Sequence, residues 1–150
     1  MTEDDIKFMM MALEEAERAY QKGEVPVGAV VIRDGAILGK ACNLRETTRD
    51  PSAHAEVLAM RSATTAFDSW RLLGLTLYVT KEPCIMCAGA IVNARISRLV
   101  YGCKDKKAGG VDSLYRILSD SRLNHQVEVV SGVLEGECAA LLQRFFRERR

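Results

Sequence analysis

The residues in this chain best suited to chemistry form two short runs: His54-Ala55-Glu56 and, further along, Glu82-Pro83-Cys84-Ile85-Met86-Cys87. Two cysteines three positions apart at the start of a helix project to one side of it, and a histidine from a second helix can join them. That set suits zinc. A structural zinc is usually closed by four protein ligands, whereas a catalytic zinc leaves its fourth position to water. Three donors is the catalytic count. Zinc lowers the pKa of bound water from about 15.7 to roughly 7, so hydroxide becomes accessible at neutral pH. Glu56, two residues from His54, stands near such a metal without being needed as a ligand. It is placed to move protons.

His-x-Glu followed by Pro-Cys-x-x-Cys is the ligand-and-acid pattern of zinc enzymes that deaminate nucleobases. Each part alone has a plainer reading. Cys-x-x-Cys can be a redox dithiol or half of a structural zinc site, and a lone histidine is more often an ordinary polar residue. Cys103, Cys138 or His125 could complete a four-ligand structural site, but none has a second ligand at short spacing. The combination is more specific than its parts.

The two ligand runs need two helix starts at one point. Positions i and i+2 do not share a helix face, yet both can serve one centre at the amino-terminal end, where first-turn side chains converge. Asp50-Pro51-Ser52-Ala53 opens the helix that bears His54 and Glu56. Pro83 suits a first turn, and the free N–H groups there favour anionic sulfur. Residues 76–80 and 98–101 are short β-rich runs on either side of the cysteine helix, which predicts a right-handed parallel crossover. The helix over residues 85–92 is apolar on nearly every side, so it needs a cover beyond the sheet, and a partner subunit is the preferred one.

Around this centre, Thr2 and Asp5 resemble a capping pair for a first helix. Ile6, Met9, Met10, Leu13, Ala16 and Tyr20 form its apolar side, with Glu14, Glu15, Glu17 and Arg18 opposite, and Lys22-Gly23 ends it. Residues 27–32 and 36–40 are strands joined through Asp34-Gly35, a strong hairpin signal. Residues 46–50 lack periodicity and read as a loop. Lys104 to Gly110 is a charged, glycine-bearing loop at the carboxyl end of a strand, which reads either as a solvated turn or as part of the edge where open α/β sheets bind ligands. A short helix is expected over 113–118, a last strand over 127–130, and a closing amphipathic helix over 134–147.

The chain has 150 residues, enough for one domain, 1–150, that buries roughly 68 to 70% of its unfolded surface. Hydrophobic residues are 48% and charged residues 27%, which excludes a disordered chain. The net charge of +1 gives no global case for nucleic acid, so any such case rests on local clusters. Five cysteines without a secretion signal argue against a disulfide framework, leaving Cys42, Cys103 and Cys138 as buried thiols. No apolar run approaches the roughly 18 residues of a membrane span. A cytoplasmic protein is expected.

The set of motifs resembles the bacterial tRNA adenosine deaminases, within the cytidine deaminase-like superfamily. The resemblance runs over nearly the whole chain: Glu24-Val25-Pro26-Val27-Gly28-Ala29, Asn43-Leu44-Arg45, the blocks around His54 and Cys84, Ser113-Leu114, Asn124-His125 and Phe145-Phe146-Arg147. It implies an α/β fold, a three-layer α/β/α sandwich on a mixed five-stranded sheet, with one zinc per subunit of a homodimer. The implied reaction is hydrolytic conversion of adenosine to inosine at the wobble position of a tRNA anticodon, chiefly arginine tRNA, with the anticodon stem-loop as partner. His54, Cys84 and Cys87 would hold zinc. Glu56 would take a proton from water, deliver it to N1 of the adenine, and protonate the departing amine after attack at C6.

By the same resemblance, Asn43 hydrogen-bonds the flipped nucleotide, Val25 and Pro26 line its pocket, Ala55 offers a backbone contact, and Asp105 lies near a ribose. Lys107, Arg147, Arg149 and Arg150 are candidate phosphate contacts. Lys81 departs from the family, where an apolar residue is more frequent, and bears on the shape of the pocket wall. The runner-up is a deaminase of a free base or nucleoside, guanine or cytosine. A third reading, a non-catalytic zinc-stabilised partner subunit, has no need of Glu56.

Overall fold

The structure, a computed structural model, describes residues 2–149. Helix α1, Glu3–Gln21, opens with a reciprocal cap: the Asp5 amide donates to Thr2 Oγ1 at 3.1 Å, and the Thr2 amide to Asp5 Oδ2 at 3.4 Å. Its inner side is Phe8, Met9, Ala12, Ala16 and Ala19. Two expectations for this helix fail. Met10 points outward, 55% exposed, and Glu15 is buried. The cause lies in strand β1, Gly28–Arg33, on which the helix rests. A Cβ at Gly28 would stand 2.1 Å from the Ala12 carbonyl oxygen and 2.7 Å from Glu15 Cβ. The close approach at a glycine turns Ala12, Ala16 and the Glu15 stem inward, and that puts Met10 on the far side.

Strand β2, Ala36–Cys42, returns antiparallel to β1 through Asp34 and Gly35, both with positive φ (46° and 82°). That is the geometry of the tight turns that match strand twist. Residues 46–50 are not wholly irregular as expected, because one helical turn, α2, Arg45–Thr48, occupies most of them. Then come α3, Ala55–Phe67; β3, Thr76–Lys81; α4, Ile85–Ala94; and β4, Arg98–Cys103. Strand β5, Glu128–Val130, and helix α5, Glu135–Glu148, follow. The helix expected over 113–118 is replaced by turns and a 3₁₀ turn, Ile117–Ser119. The Asp112 and Ser113 amides donate to the Glu82 carboxylate, which fixes the start of that segment outside a helix.

The sheet order is β2-β1-β3-β4-β5, antiparallel across the first three strands and parallel across the last three. Strand residues alternate between two cores. Ala29, Val31, Leu77, Val79, Leu99 and Tyr101 pack with α3 and α4, while Val30, Ile32, Tyr78 and Val100 pack with α1 and α5. The result is a three-layer α/β/α sandwich on a mixed five-stranded sheet. At one edge Arg98 donates through both terminal nitrogens to Asp5, each at 2.8 Å, and Tyr78 Oη donates to Asp5 Oδ1 at 2.7 Å. This ties α1 to β3 and β4. Among the described residues, no helix is long and apolar enough to cross a membrane.

Candidate active site

The opposite edge of the sheet holds the ligand runs. His54 is the N-cap of α3 and Glu56 lies in its first turn. Cys84 is the N-cap of α4, with Cys87 one turn on. His54 Nδ1 lies 3.6 Å from Cys84 Sγ and 3.4 Å from Cys87 Sγ, and the three donor atoms all fall within 4.8 Å of one another. Zinc bonds of about 2.0 Å to nitrogen and 2.3 Å to sulfur, at tetrahedral angles, put N and S about 3.5 Å apart. The donor set and its spacing fit such a metal.

The alternatives for a fourth protein ligand fail on position. His125 donates from Nε2 to the Ile96 carbonyl at 2.8 Å, and Cys103 and Cys138 belong to the core on the α1 and α5 side. Among the described residues the group is His54, Cys84 and Cys87 alone. Cys42, Cys103 and Cys138 are buried free thiols.

Charge at the site follows its geometry. A hydrogen bond from Cys87, opposed by burial and helped by His54, holds the Cys84 thiol down to about 3. Donating that bond, together with burial and the nearby Glu56 carboxylate, pushes Cys87 up. The pair therefore shares one anionic sulfur, and a bound cation would stabilise both as thiolates. Cys84 raises the His54 pKa by hydrogen bonding. Burial pushes up Glu56, which is 4% exposed. A carboxyl raised in this way holds a proton more readily than an ordinary glutamate, as a group that carries protons in catalysis requires.

A cavity of about 280 Å³ opens over these groups, lined by Val25, Val27, Asn43, Arg45, His54, Ala55, Glu56, Lys81, Glu82, Cys84, Asp105, Ala108 and Phe146. Sequence reasoning placed Val25, Asn43, Ala55 and Asp105 here. It also placed Pro26 in this wall, and Pro26 is instead buried and outside the lining. The Val27 amide donates to the Val25 carbonyl at 2.9 Å, a three-residue turn with Pro26 at its apex. Val25 and Val27 face the cavity and the proline is turned away.

Asn43 is buried, its Nδ2 donating to the Val25 carbonyl and its Oδ1 accepting from the Arg45 amide, both at 3.2 Å. Asp105 pairs with Lys81 at 3.1 Å and accepts the Lys107 and Ala108 amides at 3.1 and 3.2 Å. Lys81 thus stands in the wall as half of an ion pair. Lys107 and Arg147 are exposed outside the lining, and Arg149 stacks over the Phe145 ring with its guanidinium carbon 3.9 Å from the centroid. Arg150 lies outside the described residues.

Six residues important to the cavity escaped sequence reasoning as parts of it. Val27, Arg45, Ala108 and Phe146 line it. Phe146 had a cue, since adjacent aromatic residues on an amphipathic helix cannot both face the core, and here Phe145 is buried while Phe146 is 49% exposed. The other two are buried acids, Glu24 and Glu82, that hold the walls. Glu82 accepts from the amides of Asp105, Val111, Asp112 and Ser113 and from the Ser113 hydroxyl. Gly109 lies across it, because a Cβ there would come 2.3 Å from the carboxylate carbon. The Gly110 amide donates to the Pro83 carbonyl at 2.8 Å, so the charged loop is sewn to the start of the cysteine helix.

Two ligand-bearing helix starts at one sheet edge, with a buried glutamate beside them, define a deaminase site of the cytidine deaminase-like kind. Residues 3–150 match the model of the MafB19-like deaminases. The chain is 51% identical to the tRNA-specific adenosine deaminase of Bacillus subtilis (strain 168) over 150 residues, covering all of this chain and 92% of the relative. It is 49% identical to that of Streptococcus pyogenes serotype M1 over 148 residues, covering 99% of this chain and 86% of the other. A solved structure from a study of A-to-I editing by tRNA:A34 deaminases at the wobble position superposes with a TM-score of 0.87. It has 44% identity and covers 90% of this chain and 98% of that one. The chain belongs to the tRNA-specific adenosine deaminase family.

Proposed function

We propose that this protein converts adenosine to inosine by hydrolysis at the wobble position of a tRNA anticodon, chiefly that of arginine tRNA, with one zinc per subunit. The observation that carries the reading is the three-donor group with a buried carboxyl at its side, at the floor of a nucleobase-sized cavity. Three protein donors leave a fourth tetrahedral position for water. His54, Cys84 and Cys87 would hold zinc, whose Lewis acidity makes water a competent nucleophile at neutral pH.

Glu56 performs the proton transfers. Its carboxylate accepts a proton from the attacking water and gives it to N1 of the adenine, which makes C6 electrophilic. Once the hydroxyl has added to C6, the same carboxylate takes the remaining proton from that hydroxyl and passes it to the amine, so the C6–N bond breaks, the C6 carbonyl forms and ammonia leaves. Burial supports this double role because it penalises the charged carboxylate and so raises the proton affinity of Glu56 above that of an ordinary glutamate.

Val25, Val27 and Phe146 give the base an apolar wall, while Asn43, the Ala55 backbone and Asp105 supply polar contacts to the base and sugar. Lys107, Arg147 and Arg149 meet phosphates outside the cavity, and Arg150 is assigned to phosphate from the sequence alone. Ile85 and Met86 on α4, with Leu114 and Tyr115 on the segment after β4, remain exposed, and we assign them to a second copy of the chain in a homodimer. The reaction belongs in the cytoplasm with its tRNA.

The test is an assay of inosine at the wobble position of an anticodon stem-loop, run beside free guanine, cytosine and adenosine. Turnover of the stem-loop alone is expected. Turnover of guanine or cytosine without the stem-loop would replace this reading with a free-base deaminase.

A further inference from the structure

Glu24 takes no part in the chemistry and does not line the cavity, yet it is 1% exposed and fully engaged. Its Oε1 accepts the Glu46 amide at 3.1 Å, and its Oε2 accepts both the Thr47 amide and the Thr47 hydroxyl at 2.6 Å. Those amides are the second and third of α2, a helix whose N-cap, Leu44, has no side chain able to accept a hydrogen bond. A helix start leaves its first N–H groups without partners, and a capping side chain normally supplies one. Here the acceptor comes from another segment.

The first N–H of the same turn, on Arg45, goes to Asn43 Oδ1, and Asn43 reaches back to the Val25 carbonyl through Nδ2 and to the Val27 carbonyl through its amide at 3.0 Å. Two stretches far apart in sequence, 24–27 and 43–47, are thereby zipped together. The wall residues Val25, Val27, Asn43 and Arg45 all sit on them. The metal donors and Glu56 sit on other elements.

We infer that Glu24 is a positioning residue for the substrate wall: its buried carboxylate caps α2 from outside and so sets where Asn43 and Arg45 meet the substrate. Burial raises the carboxyl, but the Thr47 hydroxyl and the Thr47 and Glu46 amides outweigh it and leave Glu24 below its ordinary value. It stays an anion at working pH. The wall is built to hold still before substrate arrives, so the loss of this one acid should cost binding more than turnover. The inference deepens the proposed function and rests on it for its kinetic arm.

The experiment compares wild type, Glu24→Gln, Thr47→Val and the double variant. It measures zinc content, kcat and KM on an anticodon stem-loop, and amide exchange over residues 43–49. Glu24→Gln keeps one acceptor but turns a donor toward an amide. Its KM should rise about tenfold, with kcat within about twofold and zinc retained. Thr47→Val should raise KM about threefold, and the double variant should be no worse than Glu24→Gln, since the hydroxyl bond lost in Thr47→Val is one of the three that Glu24 accepts.

Exchange should rise at Glu46 and Thr47 and stay unchanged in the central strands. Unchanged KM and exchange in Glu24→Gln, an effect confined to kcat, or equal loosening of the whole sheet would overturn the inference. If Glu24→Gln does not fold, Thr47→Val decides on the same readouts. A wild-type protein inert on the stem-loop would reject the proposed function instead, and the exchange pattern would still judge the clamp.

Discussion

Two glutamates near the cavity are equally hidden and behave in opposite ways. Glu56 is 4% exposed and Glu82 1%. Burial pushes Glu56 up from the ordinary glutamate value. Burial also acts upward on Glu82, but the Ser113 hydroxyl and three backbone amides more than reverse it, leaving the carboxyl below its ordinary value. Burial alone therefore does not say what a carboxyl is for. The number of donors aimed at it separates a reagent from a fastener.

That contrast can be broken at several points. The largest effect should follow removal of the proposed metal ligand beside Glu56: Cys87→Ala is expected to lose zinc and drop turnover to background, measured by metal analysis and inosine formation. Glu56→Gln comes next. It should keep full zinc and an unchanged melting temperature while kcat falls about 10³-fold, and substantial remaining turnover would end its role as proton carrier.

Glu82→Gln should behave in reverse, costing about 3 kcal/mol of stability, or about 6 to 12 °C in Tm, with kcat of the folded protein within about tenfold. Gly109→Ala presses a methyl against that carboxylate and should cost about 2 kcal/mol in the wild type, less when Glu82 is already Ala.

The smallest effect is in pH. A folded pKa below the ordinary 4.5 means that Glu82 contributes its full stability above about pH 4.5 and loses it as pH falls through the depressed folded value. Thermal melts should show a shallower acid limb in Glu82→Gln than in wild type. Identical limbs would show that Glu82 is not held as an anion.

The donor group and its neighbouring carboxyl were legible in sequence because their parts are local. His54 and Glu56, like Cys84 and Cys87, are placed by the first turn of one helix, and a spacing of two or three residues reports that directly. The hairpin at Asp34-Gly35 and the helix cap at Thr2 were readable for the same reason. The fasteners were not. Glu24 meets Thr47 and Glu82 meets Ser113 across long loops, and periodicity within one element says nothing about partners in another.

Amphipathic spacing also leaves the rotation of a helix uncertain by about a residue. The glycine contact at Gly28 decided it, burying Met9 and Glu15 and exposing Met10. Pro26 was misplaced because a turn held by a single backbone bond has no signature beyond the proline itself.

The ends of α1 and α5 have a practical consequence. The Asp5–Arg98 tie anchors the amino end of α1 at the sheet edge away from the metal donors, whereas α5 finishes with Phe146 in the cavity wall and Arg149 over Phe145. A purification handle attached ahead of Thr2 is thus separated from the catalytic mouth by about the length of a strand, some 17 to 20 Å. One attached after Arg149 hangs beside that mouth and competes with an incoming hairpin of RNA, so assays on carboxyl-tagged material would measure the handle as well as the enzyme.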